Sequence, residues 1–540
     1  MSEPEGETGA APEPVERERA KALRASEDAR RAERELLEAR ARIRALEHEV
    51  AQVRARHDTL RQRRSVRLAT GLVERARGIV AGIGRGDARP TGTTPEIERS
   101  SSAARSFGGP AVDPSDLPRR YRETLLRALH DPAGPDGPFR IGLLGTDSAA
   151  TSGLASSLAA RGFDIVASDL SAATGSRADA VIVGDPGIDP ATLPVGGISI
   201  AVHPGADPGF DIRLDPGEDP AAAVIEAIDR WLRATRVAIR VPAASVATAE
   251  SWGDTHLARA FRDALCDAGW PTRLHYRSSW DDQALGHDDV VLDLLGLHET
   301  ATQPGSVRVL WQISHPELAR PDLYDRYDLA FVASDPFAAV MTGQTAVPVR
   351  PLHQATDPRA FHPTPGGPEH ELLFIAGWRP GGRRILEDLL PTERRLAVYG
   401  GRWTAERIDS AHLAGGSVPN PDLAAYYGAA SIVLNDHWAG MRREGFLSNR
   451  LYDASAAGAF VISDDVEGLE AEFDGGVVGY RDRRHLHDLI EHYLERPEER
   501  RERSELARAA VLARHTFAHR ARTFIDAVTP LLPDHGSETA

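Results

Sequence analysis

The stretch REGFLSNRLYDASAAGAFVISDD, residues 443–465, decides the fold of the last third of the chain. It joins a helix-forming segment to AFVISD (459–464), an apolar run typical of a buried strand. If the helix begins near Ser448, one of its faces is apolar and packs on a sheet, with a glycine that permits close approach to the next strand. The residues of this face are Leu447, Leu451, Ala454 and Gly458. The pattern predicts one helix–strand unit of a parallel sheet.

The polar residues of the same stretch cluster at the start of the predicted helix. The first turn of a helix presents free N–H groups and the positive end of the helix dipole, which suit a phosphate. Ser448 can cap the helix and offer a hydroxyl to a pyrophosphate, while Asn449 and Asp453 share a second face. We expect Asp453 to accept hydrogen bonds from the hydroxyls of a ribose, each contributing roughly 1.5 to 3 kcal/mol. Glu444, on the preceding loop, is expected to point into the adjoining cleft.

Strands alternating with helices extend this pattern toward the N-terminus and predict an α/β fold. Two consecutive series of apolar runs indicate two Rossmann-like domains with parallel sheets covered on both faces. We place their bounds at residues 236–352 and 353–528, after a small α/β domain at 116–234. The carboxyl ends of the two larger sheets are expected to face a shared cleft. In the small domain, the turn between Gly145 and Gly153 has the wrong glycine spacing for a dinucleotide fingerprint, which favours a structural role over nucleotide binding.

The first part of the chain has a different composition. Residues 15–64 are rich in Ala, Arg, Glu and Leu, with apolar residues at heptad spacing. This indicates a coiled coil that forms a homo-oligomer, and a single solvated charged helix is the alternative. Residues 65–115 are rich in Gly, Ser, Thr, Pro and Arg, which is typical of a flexible linker.

Charge and cysteine content exclude several classes of protein. The formal net charge of −16 argues against a nucleic-acid-binding surface, which needs clustered Lys and Arg. The single cysteine, Cys266, excludes an intramolecular disulfide and a Cys-rich zinc site. The N-terminus lacks the pattern of a secretory signal, and no apolar run approaches the roughly 20 residues that span a bilayer. We therefore expect a cytoplasmic protein without an integral membrane segment.

The run NDHWAGMRREGFLSNRLYDASAAGAFVISDDVEGLEAEF (435–472) resembles the donor-binding core of GT-B fold glycosyltransferases of group 1 type, and most closely the spore-maturation-type branch. The resemblance extends over VAIRVPAASVATAESWGDTHLARAF, VLWQISHPE and PLHQATDPRAFHP, and so covers residues 236–528. In the family, a Glu opens the motif and an acidic residue on the next helix holds the ribose of a nucleotide-sugar. Glu444 and Asp453 match these positions, although eight residues separate them where the usual pattern has seven between two glutamates.

The resemblance implies a nucleoside-diphosphate-sugar as donor, bound as a substrate, so that no cofactor is expected. It also implies transfer with retention of configuration and without a metal, in keeping with a sequence that contains no Asp-x-Asp. Arg379, after the first strand of the C-terminal domain, is the expected phosphate contact, with Arg383, Arg384 and Arg450 in reserve. The predicted donor-binding residues are Asp436, His437, Gly445, Ser448, Asn449, Arg450 and Asp453.

The N-terminal Rossmann-like domain is expected to hold the acceptor. The loop around SWGDTH follows its first strand, so Gly253, Asp254 and His256 are the predicted acceptor-binding residues, with Asp254 alternatively capping the next helix. His315 follows the strand VLWQIS and can orient a hydroxyl or act as a base. Glu444, His315 and Arg379 are thus the predicted catalytic residues, while Trp438 either stacks on a sugar or packs in a core.

These observations favour a glycosyltransferase that moves a sugar from a nucleotide-sugar to an acceptor hydroxyl. A glycan, a lipid-linked glycan and a protein all remain possible acceptors. The principal alternative is a non-catalytic oligomeric scaffold with a degenerate GT-B module that binds glycans or proteins. A sugar-nucleotide epimerase on the same fold is a third, weaker hypothesis.

Overall fold

The structure is a computed structural model, and the coiled coil and linker predicted before residue 116 lie outside the residues it describes. It describes residues 117–533 except 146–152, 168–177, 189–192, 194–197, 204–205, 207–209, 215–218, 244–248, 250–252, 278–279, 281–287 and 296–304. The described chain forms three parallel sheets with helices packed on their faces, which confirms the predicted α/β fold class with two Rossmann-like domains after a small α/β domain.

The small α/β domain contains a five-stranded sheet of order β2-β1-β3-β4-β5. Its strands are β1 (Arg140–Leu144), β2 (Asp164–Ala167), β3 (Ala180–Val183), β4 (Ile198–Ala201) and β5 (Ile212–Arg213). Its helices are α1 (Leu117–His130), α2 (Leu154–Ala160) and α3 (Pro220–Arg233). Paired charges dock this domain on the next sheet, since Arg122 forms an ion pair with Asp289 and Arg273 donates to Asp211 at 2.6 Å.

The second sheet, with its helices, forms what we call the middle lobe, and its strand order is β11-β10-β9-β8-β6-β7. Its strands are β6 (Val237–Val241), β7 (Thr272–Tyr276), β8 (Val290–Leu294), β9 (Val307–Gln312), β10 (Leu329–Val332) and β11 (Val349–Pro351). Its helices are α4 (Gly253–Asp267), α5 (Pro321–Tyr324) and α6 (Asp335–Thr342), with a 3-10 turn at Pro316–Leu318. Asp254 lies inside the first turn of α4 rather than before it.

The third sheet, with its helices, forms the C-terminal lobe, and its strand order is β14-β13-β12-β15-β16-β17. Its strands are β12 (His370–Ile375), β13 (Leu396–Tyr399), β14 (Leu413–Gly415), β15 (Ala430–Asn435), β16 (Val461–Asp464) and β17 (Val478–Tyr480). Its helices are α7 (Arg384–Leu389), α8 (Leu423–Ala429), α9 (Ala439–Arg443), α10 (Asn449–Ala456), α11 (Leu469–Glu472), α12 (Arg483–Glu495) and α13 (Pro497–Arg514). Short 3-10 turns lie at Ser410–His412, Asn420–Asp422 and Thr529–Leu531.

The last helix, α14 (Phe517–Val528), returns to the middle lobe. Its buried Phe524 contacts the aromatic rings of Phe261 and Phe331, with ring centroids 5.6 Å and 5.9 Å apart. The predicted boundaries assign this helix to the C-terminal domain, whereas its apolar side chains join the core of the middle lobe. The two lobes are thus connected both before β12 and after α13. Among the helices that the structure describes, none is long and apolar enough to cross a membrane.

Candidate active site

A cleft of about 490 Å³ lies between the middle and C-terminal lobes. The carboxyl ends of parallel strands and the loops that follow them meet at this edge, which is where open α/β sheets bind ligands. Three predicted acceptor residues from the middle lobe line it, together with three predicted donor residues from α10. They are Gly253, Asp254 and His256 on one side and Asn449, Arg450 and Asp453 on the other.

Helix α10 presents these donor-side residues because its other face is anchored. Leu451 and Ala454 are fully buried in the core of the C-terminal lobe, as predicted, together with Leu447 just before the helix. Two residues beyond the end of the helix, Gly458 adopts the left-handed conformation, with φ of 83°. A side chain built at Gly458 would meet only Pro363, at 3.5 Å. The glycine is therefore needed for its backbone conformation, and the close approach to a strand that we predicted from the sequence is not its reason.

Asp453 is buried at the floor of the cleft and accepts two hydrogen bonds. Thr356 donates its hydroxyl to Oδ1 at 2.8 Å, and the Asn449 amide donates to Oδ2 at 2.6 Å. Burial raises the pKa of Asp453 to about 7, against the lowering effect of these two bonds. Within the described part of the chain, the buried Oδ1 of Asn449 has no hydrogen-bond partner. The pair therefore places, at the cleft, a carboxyl with a pKa of about 7 beside a buried amide oxygen that has no partner in the described residues.

Arg450 supplies positive charge to the cleft wall. Its Nη1 donates to Oδ1 of Asn435 at 2.6 Å, which holds the guanidinium above the end of β15. The hydroxyl of Tyr427, another residue of the wall, has its pKa raised to about 12 by burial, although the nearby Arg450 lowers it. A guanidinium group at this place can donate two parallel hydrogen bonds to the oxygens of a diphosphate.

Arg379, the predicted phosphate contact, is buried behind the cleft. Its guanidinium donates to Asp436 at 3.0 Å and to the carbonyl of His437 at 2.7 Å, and it lies 4.2 Å from the centre of the Trp438 ring. Arg383 donates to the other oxygen of Asp436 at 3.0 Å. Burial lowers the pKa of Arg379 and lowers that of Arg383 to about 10, while Asp436 opposes both shifts. Asp436, a predicted donor contact, is thus enclosed by two arginines.

His437, another predicted donor contact, is also buried and has both ring nitrogens engaged. Nδ1 lies 2.7 Å from Oδ1 of Asp464 at the end of β16, and Nε2 lies 3.0 Å from the backbone nitrogen of Ser448. The hydroxyl of Ser448, expected to bind pyrophosphate, donates to Asn435 at 3.0 Å. These residues connect the ends of two strands to the start of α10.

Glu444 and Gly445 lie on a loop that crosses to the middle lobe. The Glu444 carboxylate pairs with Arg443 at 2.8 Å, and its carbonyl accepts a hydrogen bond from the Ser334 hydroxyl at 2.6 Å. Gly445 has φ of 72°, and the next residue, Phe446, packs with its ring centroid 5.4 Å from that of Phe337. Glu444 is outside the set of side chains that line the 490 Å³ cleft.

His315 occupies the end of the middle-lobe sheet nearest to this loop. Its backbone is in the left-handed region, with φ of 54°, an uncommon conformation for a residue other than glycine. Its Nδ1 lies 2.7 Å from Glu317, and its ring centroid lies 5.6 Å from that of Trp438, whose side chain is partly exposed. Burial raises the pKa of Asp254, and the charge of His315 opposes that shift. Asp254 and His315 are therefore close enough to interact electrostatically.

Several residues in or next to the cleft were not predicted from the sequence. Thr356 lies in the connection between the lobes and has no local signal of a contact with Asp453, which is 97 positions away. Gly377 and Gly400 follow β12 and β13, and a glycine after an apolar strand is the one signal that points to them. A side chain at Gly400 would lie 2.3 Å from the carbonyl oxygen of Ala376.

In the described residues, no three His, Cys, Asp or Glu side chains are grouped as metal ligands.

Comparison with known proteins supports the predicted similarity. Residues 379–526 match the model of a family described as glycosyl transferase-like. The matched residues cover most of the C-terminal lobe and most of α14. The predicted resemblance to group 1 glycosyltransferases is thereby confirmed for this part of the chain. A search of curated protein sequences found no match.

Solved structures similar to this chain include the following three. Sucrose-phosphate synthase from Thermosynechococcus elongatus is 14% identical, with a TM-score of 0.42 over 55% of this chain and 99% of that one. An alpha-glucosyltransferase in complex with UDP-glucose and DNA containing an abasic site is 12% identical, with a TM-score of 0.42 over 54% and 99%. HepE from Anabaena, in complex with UDP-glucose, is 12% identical, with a TM-score of 0.38 over 55% and 99%.

Proposed function

We propose that the protein transfers a sugar from a nucleoside-diphosphate-sugar to an acceptor hydroxyl, with retention of configuration and without a metal ion. The observation that carries this proposal is the placement of Asn449, Arg450 and Asp453 in a cleft opposite Gly253 and Asp254. A donor bound against α10 would have its sugar directed toward the middle lobe. An acceptor held by the middle lobe would then meet the anomeric carbon.

The nucleoside moiety is assigned to Asp453 and Asn449. A ribose hydroxyl can donate to the unpartnered Oδ1 of Asn449, and ionised Asp453 can accept a second hydroxyl. The hydroxyl of Thr356 donates to Oδ1 of Asp453, so a ribose hydroxyl must share this oxygen with Thr356 or displace it. The loops of Gly377 and Gly400 line the same cleft, and we place the base against them.

The diphosphate is assigned to Arg450, because this guanidinium lines the cleft, whereas Arg379 is buried outside the lining and donates to Asp436 and to two backbone carbonyls. In the transfer, the bond between the anomeric carbon and the diphosphate oxygen breaks, and a bond to the acceptor oxygen forms. The acceptor proton passes to the departing diphosphate on the same face, so the step needs no separate base. Stabilisation of the negative charge on the diphosphate then lowers the barrier.

The predicted catalytic residues Glu444 and His315 take supporting roles in this proposal. Glu444 lies on the loop after α9 where its carbonyl contacts Ser334 of the middle lobe, and His315 lies beside Trp438, just before α9. Because this loop already packs on the middle lobe, it would cover a sugar bound beside it and exclude water.

Hydrolysis of nucleotide-sugars in the absence of acceptor tests the proposal. We expect one member of a panel of uridine, guanosine, adenosine, cytidine and thymidine diphosphate sugars to be hydrolysed slowly and to protect the protein against heat. Arg450→Ala should lower this rate about 100-fold, since removal of one transition-state charge contact costs about 3 kcal/mol. Arg395→Ala is the matched control, because the side chain of Arg395 is 87% exposed.

A non-catalytic scaffold is the alternative that the same panel separates. A scaffold would leave every nucleotide-sugar intact and show the same thermal stability with and without it. That outcome would overturn the proposed enzymatic function.

A further inference from the structure

The His437 ring is held in a single tautomer by its two neighbours. Asp464 is a buried carboxylate and accepts hydrogen bonds, so Nδ1 of His437 carries the proton of the 2.7 Å bond. The backbone N–H of Ser448 donates, so Nε2 must be the unprotonated acceptor of the 3.0 Å bond. Burial would raise the pKa of Asp464, yet the neighbouring His437 ring, which donates to it, lowers that pKa overall. A charged acceptor thus fixes the proton on Nδ1.

The start of α10 depends on this ring in an unusual way. Ser448 is the N-cap residue, but its own side chain makes no capping hydrogen bond and donates to Asn435 instead. The imidazole from the end of β15 therefore satisfies the N-cap N–H, as the side chain of a capping box does within ordinary helices. Asn435 also links the end of β15 to α10 and β16, since its side chain accepts a hydrogen bond from Arg450 and donates one to Ser463 at 2.9 Å.

We propose that His437 is a positioning residue: through the Ser448 N–H it fixes the first turn of α10, and with it Asn449, Arg450 and Asp453, for the nucleotide part of the donor. Asp464 acts indirectly, because it selects the His437 tautomer whose Nε2 can accept the hydrogen bond from the Ser448 N–H. This inference rests on the proposed function, and it differs from the direct donor contact predicted for His437 from the sequence. The ring itself is buried and does not face the cleft.

Two substitutions at residue 437 separate the roles of the two ring nitrogens. A glutamine oxygen reaches the place of Nε2 and can still accept from Ser448, whereas the shorter asparagine reaches only the place of Nδ1. We expect His437→Asn to raise the donor KM about 10-fold, the equivalent of about 1.4 kcal/mol, with a smaller change in kcat. His437→Gln should raise the donor KM no more than about 3-fold.

Asp464→Asn tests the tautomer without altering the ring. The amide N–H of the new asparagine can donate to Nδ1, which would move the imidazole proton to Nε2. The Nε2–H would then face the Ser448 N–H, and the hydrogen bond between these two groups would be lost. Wrong-tautomer substitutions have the same effect in catalytic triads. We expect the same KM increase of about 10-fold. Nitrogen NMR of the wild-type ring should show the proton on Nδ1, and a proton on Nε2 would overturn the proposal.

Hydrogen exchange of the amides of residues 448–451 gives a readout that needs no donor. Exchange should be about 10-fold faster in His437→Asn than in His437→Gln, with thermal unfolding confirming that both variants fold. Equal exchange and equal KM in the two variants would overturn the positioning role. If no nucleotide-sugar is bound or hydrolysed by the wild type, the proposed function fails, while the exchange rates still decide whether His437 fixes the helix.

Discussion

At the scale of single residues, the carboxyl of Asp453 sets how the donor site responds to pH. Burial raises its pKa to about 7, so the group changes its charge in the physiological range. Thr356 and Asn449 donate to it and favour the ionised form, but they do not outweigh the cost of burial. As pH rises through about 7, the carboxyl ionises and becomes the stronger acceptor for a ribose hydroxyl.

We therefore expect the affinity for the nucleoside diphosphate to rise with pH. Between pH 6 and pH 8 the ionised fraction of Asp453 grows about 10-fold, and the Kd should fall by a similar factor. Titration calorimetry at pH 6, 7 and 8 measures this directly. Ionisation of the nucleotide phosphate also makes the Kd depend on pH, so Asp453→Asn is the control. The Kd of this variant should change with pH only through the phosphate. An identical pH profile in the two proteins would contradict the role given to Asp453.

At the scale of elements, the loop between α9 and α10 fastens the C-terminal lobe to the middle lobe. Gly445 makes the contact possible, because a side chain there would lie 2.7 Å from Pro336 Cγ and 3.1 Å from Ser334 Oγ. Ser334 also caps α6, donating its hydroxyl to the Glu444 carbonyl while accepting from the Phe337 N–H at 3.2 Å. The loop position and the start of α6 are therefore fixed together.

Gly445→Ala should weaken this lobe contact and lower kcat. Gly468→Ala is a matched control, since Gly468 has φ of 89° but a β-carbon added there would meet no described atom within 4 Å. Both variants should lose about 1 to 2 kcal/mol from a left-handed alanine. Only Gly445→Ala should also lose activity, by about 10-fold, because of its clash with the middle lobe. Unfolding and turnover measured side by side check this, and equal activities would exclude the proposed role of the loop contact.

The helix–strand pattern around α10 was predictable because its signals are local. Periodic apolar residues placed the helix, and the apolar run 459–464 placed β16, within a few residues of the observed bounds. The short edge strands β5, β11 and β14 contain only two or three residues each, too few for a periodic signal in the sequence. The pairing of Arg379 with Asp436 and the contact of Thr356 with Asp453 join residues 57 and 97 positions apart, which no local pattern contains.

At the scale of the whole described molecule, α14 completes the core of the middle lobe from the far end of the chain. The chain returns from the C-terminal lobe to the middle lobe beside the segment that first joins the two lobes. At this place the Phe517 N–H donates to the Thr356 carbonyl at 3.0 Å. Phe524 is fully buried and contacts Phe261, Trp270 and Phe331. The middle lobe is therefore incomplete without residues that follow the C-terminal lobe.

Phe524→Ala should lower the free energy of unfolding by about 3 to 5 kcal/mol, because it leaves a cavity among aromatic rings. Leu531→Ala, at a side chain that is 38% exposed, should change it by less than about 0.5 kcal/mol. Urea titration followed by tryptophan fluorescence measures both. A loss for Phe524→Ala no greater than that for Leu531→Ala would contradict the packing of α14 on the middle lobe.

The central claim is that α10 holds the nucleotide of an activated sugar in the cleft between the lobes. Equilibrium binding of a panel of nucleoside diphosphates to the wild type, Asp453→Ala and the exposed-site control Asp465→Ala tests it most directly. One nucleoside diphosphate should bind the wild type and the control alike, and bind Asp453→Ala about 10- to 100-fold more weakly. Binding unchanged by Asp453→Ala, or no binding of any nucleoside diphosphate, would contradict it.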